Sequence, residues 1–361
     1  MKAIIFAGGV GTRLWPLSRK KSPKQFQKII GEKSTLELAV ERLRPEFAAE
    51  DIYISTGAEY VERTREMLPY LPEENVIGEP AKKDVGPAVA LIVSHLNRRF
   101  PDEPIVILWS DHLVKHEQVF KNIVLAAGKV LEKEGDKIVF LGQKPRFASD
   151  NLGWIATGEV AHHVDGTLFR RFEEMKYRPN EELARTYFQN PNYCWNLGYF
   201  VTTPKFLMSV FERHAPEIFA IAQDITDTPD SASFMKKLSA RYAEMPEVNF
   251  DKAVLEKLDR DSAYVVIEDI GWSDVGAWEA LKEALSLRKT DNIQKGKVIL
   301  RESSDNLVYN FEDGKLVVGI DMHDFVVINT PDVTLVARKA SISKVKELVE
   351  SLYGSEYESL T

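Results

Sequence analysis

Two hydrophobic periods alternate along residues 1–290. Short apolar runs at 3–7, 51–56, 104–109, 137–142 and 263–268 predict buried strands, and the run at 104–109 is apolar enough to mark a central one. Between them the period lengthens. Leu36, Ala39, Val40 and Leu43 recur at helical spacing behind Ser34-Thr35-Leu36-Glu37, which has the form of a capping box. Helical patterns also fit 58–68, 87–100 (Ala88, Leu91, Ile92, His95 and Leu96 on one side), 116–133, 254–258 and 277–288. Strands alternating with helices predict an α/β fold, a mostly parallel Rossmann-like sheet flanked by helices. The stretch 144–196 reads as less regular, in the manner of a substrate-covering segment.

Beyond Lys295 the texture changes. Apolar runs at 298–300, 307–309, 316–318, 326–328 and 335–337 recur about every nine residues, separated by Asp, Asn and Gly, and an amphipathic helix at 341–352 closes the chain. This predicts a small C-terminal β domain, and from periodicity alone a β-meander or a β-helix fits. The expected division is 1–290 and 291–361, with no low-complexity linker between them.

The first strand breaks into Ala7-Gly8-Gly9-Val10-Gly11-Thr12-Arg13-Leu14, and Pro23-Lys24-Gln25-Phe26 follows. Glycines here let backbone N–H groups turn inward around an anion, and Arg13 and Lys24 add two cations. The spacing is neither that of a Walker loop nor that of a dinucleotide fingerprint. Six fixed residues, Gly-Gly-x-Gly-Thr-Arg-Leu, form a chance event on the order of 10⁻⁷ per window. A merely structural turn therefore explains the pattern poorly, and triphosphate binding explains it well.

Charge narrows the partners. With 47 Lys and Arg against 55 Asp and Glu, the net charge is −8, which argues against nucleic acid. The single cysteine, Cys194, excludes an internal disulfide and reads as an inert buried thiol in a reducing compartment. No secretory signal is expected at the amino terminus and no apolar run is long enough for a bilayer, so the expectation is a cytoplasmic protein without membrane contact.

These motifs together resemble the sugar-nucleotide pyrophosphorylase (nucleotidyltransferase) family. Leu14-Trp15-Pro16-Leu17-Ser18-Arg19 and Pro23-Lys24-Gln25-Phe26 resemble its mannose-1-phosphate guanylyltransferase branch. Glu79-Pro80, Gly86-Pro87-Ala88, Ser110-Asp111-His112, Trp195-Asn196-x-Gly198, Phe250-Asp251-Lys252-Ala253 and Gly271-Trp272-Ser273-Asp274-Val275-Gly276 follow in family order. The resemblance implies a short left-handed β-helix at the carboxyl end and a homodimer. It also implies Mg²⁺-dependent guanylyl transfer from GTP to α-D-mannose 1-phosphate, giving GDP-mannose and pyrophosphate. The alternatives are the same chemistry with another sugar 1-phosphate or NTP, and a non-catalytic nucleotide-sugar-binding regulator. A fused isomerase activity is not expected, because no further domain follows Thr361.

Candidate roles divide into three sets. Arg13, Lys24 and Asp111 are the expected catalytic residues, with Asp111 and Asp274 as metal ligands, since a hard cation prefers carboxylate oxygen. Both aspartates could instead cap the elements that follow them, and His112 is expected to orient its neighbours rather than ligate. The nucleotide set is Ala7, Gly8, Gly9, Gly11, Thr12, Arg13, Glu79, Gly86, Pro87 and Ser110. In it Glu79 could accept from guanine N1–H and the exocyclic amine, or be a structural carboxylate. For the sugar phosphate the resemblance points to Gly153, Glu174, Lys176 and Asn196. There the chain departs from the family. It reads Glu174-Met175-Lys176-Tyr177-Arg178-Pro179 in place of Glu-Lys-Pro, leaving Lys176 or Arg178 as the cation. Further departures fall at 146–152 and 84–86, and at Trp109, Leu197 and Tyr199.

Overall fold

The computed structural model describes residues 1–9 and 11–361; Val10 of the glycine loop lies outside the described residues. The chain forms two compact units, each assembled from separate stretches of sequence.

The first unit comprises Met1–Ala7, Val40–Trp109 and His116–Ile270. Its nine-stranded sheet has the order Val76–Glu79, Ile52–Gly57, Lys2–Ala7, Ile105–Trp109, Tyr193–Thr202, Ile138–Gln143, Ala263–Glu268, Thr167–Lys176, Gly153–Val164. Only Tyr193–Thr202 and Thr167–Lys176 run against the others. Strand Ile105–Trp109 is central, as its composition predicts. Helix Val85–Asn97 is buried from Gly86 through Ser94, and again at Leu96. Apolar burial on all sides is what a helix packed against Pro204–His214, Pro216–Thr226 and the sheet requires. The one-sided pattern expected for 87–100 therefore understates its burial.

The irregular segment expected at 144–196 is instead ordered. Gly153–Val164 and Thr167–Lys176 form a hairpin, followed by helix Glu181–Phe188 and strand Tyr193–Thr202. Asp165 (φ 49°) and Gly166 (φ 82°) make the two-residue turn, the left-handed pair that a tight hairpin demands. That Asp-Gly dipeptide between alternating apolar residues was the available signal. Likewise 254–258 holds only the short 3₁₀ turn Leu255–Lys257.

The second unit comprises Gly8–Ala39, Ser110–Lys115 and Gly271–Thr361. The capping box forms as expected: Ser34 N–H donates to Glu37 Oε2 (2.7 Å) and Glu37 N–H to Ser34 Oγ (3.1 Å). Carboxyl-terminal strands pair in parallel, Val298 with Val317 and Leu307 with Val326, 19 positions on in both cases. Among the described residues of this domain, consecutive antiparallel pairing, which a meander needs, occurs only between Phe325–Asn329 and Thr334–Arg338. The domain is β-helix-like, and the nine-residue sequence period is half of one 19-residue coil. Buried asparagines stack between coils: Asn329 Nδ2 donates to Asn310 Oδ1 (2.8 Å), and Asn306 Nδ2 to Met322 O (2.7 Å). Each satisfies backbone or amide groups that would otherwise be orphaned in the core. Leu14, Trp15, Val275, Trp278, Leu281, Tyr309 and Ile328 share one apolar cluster, so the first loop and helix Trp278–Leu285 pack on the β-helix.

Candidate active site

In the second unit the glycine loop leads into the 3₁₀ turn Thr12–Leu14. Gly11 has φ 75°, and a Cβ there would lie 2.8–2.9 Å from the Lys24 methylenes. Only glycine allows both the left-handed backbone and the passage of the lysine stem. Lys24 heads the 3₁₀ turn Lys24–Phe26, anchored by buried Gln25 and Phe26. Its ammonium is bonded to Asp111 Oδ2. Burial alone would raise the Asp111 pKa, but the Lys24 ammonium opposes it and the carboxyl is held at about 2.

His112 and Leu113 pair antiparallel with Asp274 and Ser273, which sets Asp274 directly opposite His112. Among the described residues, Asp111, His112 and Asp274 offer ligand atoms within 4.8 Å of one another. The Trp272 indole N–H donates to His112 Nδ1 (3.1 Å). Indole nitrogen is a donor only, so Nδ1 is the acceptor and the neutral ring carries its hydrogen on Nε2. Trp272 thereby engages His112 Nδ1, and the oxygen donors of the group are the carboxylates of Asp111 and Asp274. Two carboxylates without a thiolate suit a hard divalent cation.

Asp274 Oδ1 accepts from Gly276 N–H (2.9 Å), and not from a helix cap. A Cβ on Gly276 would sit 2.7 Å from Asp274 Oδ1 and 3.2 Å from Arg13 Nη2, so the aspartate and the guanidinium both close over this glycine. Arg13 also acts on half-buried Glu279, whose pKa burial raises and Arg13 partly restores. Sequence reasoning missed Trp272, Gly276 and Glu279 as participants. Gly8 and Gly9 are exposed and Ser110 is buried. The second unit thus brings together Gly8, Gly9, Gly11, Thr12, Arg13, Lys24, Ser110, Asp111 and Asp274.

Base and sugar candidates lie in the first unit. The Ala7 carbonyl accepts from Thr56 Oγ1 (2.8 Å). Glu79 ends strand Val76–Glu79; Ser55 Oγ donates to its Oε1 (2.8 Å) and Tyr242 O–H to its Oε2 (3.0 Å). Burial raises its pKa against those two hydrogen bonds. Both oxygens are thus engaged by the fold, leaving Glu79 only its remaining lone pairs for a base. Gly86 and Pro87 are buried, and Gly86 N–H donates to Val248 O (3.1 Å).

The sugar set divides between two faces of the sheet. Gly153 pairs with Asn196, Trp154 with both Trp195 and Lys176, and Ala156 with Glu174. Alternation places Glu174, Lys176 and Trp195 on one face and Gly153, Met175 and Asn196 on the other. Glu174 is exposed and accepts from Tyr193 O–H (3.2 Å), while Lys176 reaches Glu256 at 3.8 Å. Asn196 instead donates to Asp251 Oδ1 (3.0 Å). Arg178 donates from Nε to Asn151 O (3.2 Å) and lies over the Tyr177 ring, 5.1 Å from its centroid. In the departing segment 146–152, Arg146 and Phe147 cover Trp195, at 5.2 and 4.7 Å between ring or guanidinium centres. Cys194 is fully buried and burial raises its thiol pKa, which leaves it inert.

Arg13 and Lys24 beside a glycine loop, with Asp111, His112 and Asp274 close enough to share a cation, form a candidate site for phosphoryl-group chemistry, and the chain belongs to the nucleotidyl transferase family, whose profile matches residues 2–290. It is an enzyme of that class. A second profile, the MannoseP isomerase/GMP-like beta-helix domain, matches 296–352. The chain is similar to mannose-1-phosphate guanylyltransferase 2 of Escherichia coli O157:H7, at 30% identity over 97% of this chain and 73% of the relative. It is also similar to the alginate biosynthesis protein AlgA of Pseudomonas putida, at 28% over 98% and 71%. The solved structure of mannose-1-phosphate geranyltransferase from Thermus thermophilus superposes with a TM-score of 0.85 at 27% identity, covering 97% and 98% of the two chains. Among the described residues no helix is long and apolar enough to cross a membrane.

Proposed function

We propose that this enzyme transfers a guanylyl group from GTP to α-D-mannose 1-phosphate, releasing pyrophosphate and forming GDP-mannose. The observation that carries this reading is the convergence of Arg13, Lys24, Asp111 and Asp274 beside a glycine loop in one unit. Nucleotidyl transfer asks little covalent chemistry of a protein; positioning and neutralisation of charge supply most of the catalysis. The similarity to a mannose-1-phosphate guanylyltransferase supports the choice of guanine base and mannosyl acceptor.

Loop N–H groups and Arg13 hold the triphosphate. Mg²⁺, held by Asp111 and Asp274, would neutralise phosphate charge when bound. Lys24 keeps Asp111 ionised and has further N–H donors for the α- or β-phosphate. His112, fixed by Trp272, orients the carboxylates. The sugar phosphate is an anionic nucleophile near neutral pH, so no general base is required. Its oxygen attacks the α-phosphorus in line, the bond to the pyrophosphate oxygen breaks, and Arg13 and Lys24 stabilise the charge that leaves. Glu79 is assigned to guanine, and Asn196, Gly153, Glu174 and Lys176 to the sugar phosphate.

A second reading keeps the chemistry and changes the sugar or the NTP. It is favoured by Arg146 and Phe147 over Trp195, beside Asn196 in a departing segment. Pyrophosphate release measured with Mg²⁺ across a matrix of NTPs and sugar 1-phosphates, with Asp111→Ala as control, separates the readings. Turnover confined to GTP and mannose 1-phosphate and lost in the variant is the expected result. Turnover with another pair supports the second reading, and silence across the matrix overturns both.

A further inference from the structure

Asp251 is the second residue of the short helix Phe250–Ala253, and Asn196 donates to its side chain. The Asn196 side-chain oxygen accepts from Gly198 N–H (3.0 Å), which turns its NH₂ group toward Asp251 Oδ1 (3.0 Å). Gly153 is the cross-strand partner of Asn196, so Gly153, Asn196 and Asp251 are contiguous. Among the described residues, Asp251 forms no ion pair within 4 Å, and Asn196 is its one side-chain hydrogen-bond donor. Two further carboxylates, Glu256 and Asp84, act on it, against the single charge of Arg178.

Such a place repels an anion. A half-buried carboxylate with open lone pairs and acidic neighbours calls for neutral O–H donors. The phosphate end of a sugar phosphate is better served by a cationic side chain than by this carboxylate. What remains for Asp251 is the polyol end. Burial raises the Asp251 pKa to about 6, consistent with a carboxylate short of donors.

We infer that Asp251 accepts a hydrogen bond from a ring hydroxyl of the sugar 1-phosphate, and that Asn196 holds it in position to do so. This rests on the sugar-phosphate transfer proposed for the enzyme and adds a residue that the sequence resemblance left without a role. Hydrogen bonds to an ionised group are worth enough for a roughly 10- to 100-fold change in affinity.

The test pairs protein and ligand deletions. Wild type, Asp251→Asn and Asp251→Glu are assayed by pyrophosphate release with the accepted sugar 1-phosphate and its 2-, 3- and 4-deoxy analogues. Thermal unfolding and the KM for the NTP report whether each variant is folded with a working triphosphate site. In wild type, one deoxy analogue should lose roughly 10- to 100-fold in kcat/KM. In Asp251→Asn, KM for the full sugar should rise by a similar factor while that same analogue loses little more. A purely structural Asp251 would instead lower all sugars by one common factor and leave the analogue penalty intact, which overturns the inference. If wild type turns over no sugar 1-phosphate at all, the transfer reading itself falls, and this one with it.

Discussion

The Trp272 indole stands edge-on to the His112 imidazole, centroids 5.1 Å apart and planes at 86°, and donates its N–H to Nδ1 across 3.1 Å. That contact fixes the tautomer of a histidine lying between two metal-candidate carboxylates. Groups of this kind typically change metal affinity or activity 10- to 100-fold when removed. Trp272→Phe should keep the packing, lose the lock, and raise the Mg²⁺ concentration for half-maximal activity by about tenfold. A metal titration of initial rates checks this; an unchanged titration would remove His112 from the metal site's support.

Gly11 gives a sharper case. Gly11→Ala places a methyl against the Lys24 stem and forces a non-glycine residue to φ 75°. The backbone cost is about 1–2 kcal/mol, and displacement of Lys24 should lower kcat roughly 100-fold. Activity should therefore fall far more than the unfolding midpoint does. A proportionate fall of both would mean that the loop serves stability alone.

Asp251 makes a prediction about pH. Its folded pKa, raised by burial first, is about 6, above the usual carboxylate range. A folded protein that binds this proton more tightly than the unfolded chain is favoured at low pH. The favour fades as pH rises from about 4 to about 6. Asp251→Asn removes the buried charge and should raise Tm at pH 7.5 while leaving it nearly unchanged at pH 4. Equal Tm differences at both pH values would contradict the raised pKa. Asp111 has the opposite sign: held at about 2 by Lys24, it keeps its stabilising charge until pH falls below the unfolded value toward 2.

In the second unit, Lys282 is only 3% exposed, and its ammonium meets Asp305 Oδ1 at 2.8 Å while Lys339 takes Oδ2. Asp305→Ala would strand a buried ammonium, a change that costs about 3–5 kcal/mol. Lys282→Met with Asp305→Asn should recover much of that loss. Urea unfolding of the single and double variants gives the comparison; additive losses would show that the two residues are not coupled.

Much of the first unit was legible because its strands are short and apolar and alternate with stretches of helical period. The glycine loop, Lys24, Asp111 and Asp274 were legible as residue types, and the fold then supplied their proximity. Other features depend on contacts that sequence spacing does not encode. Glu174 and Lys176 share an expected role with Asn196 but occupy the opposite face of the sheet, a result of strand register between Gly153–Val164 and its two neighbours. Asp251 was visible within Phe250-Asp251-Lys252-Ala253, yet nothing local reveals that Asn196, 55 positions earlier, turns toward it. The nine-residue period of the carboxyl end was visible too, but only the 19-residue register separates a coil from a meander.

The second unit is drawn from three parts of the chain, Gly8–Ala39, Ser110–Lys115 and Gly271–Thr361. This has a consequence for the protein as it is being made. At about 5–20 residues per second, a ribosome takes roughly 8–30 s to travel from Asp111 to Asp274. Throughout that interval the nascent chain carries the loop, Arg13, Lys24 and the first aspartate without the second. If Asp111 and Asp274 hold the metal as proposed, the pair is incomplete until Asp274 has been added, and a fragment terminated before that residue should consume no nucleotide.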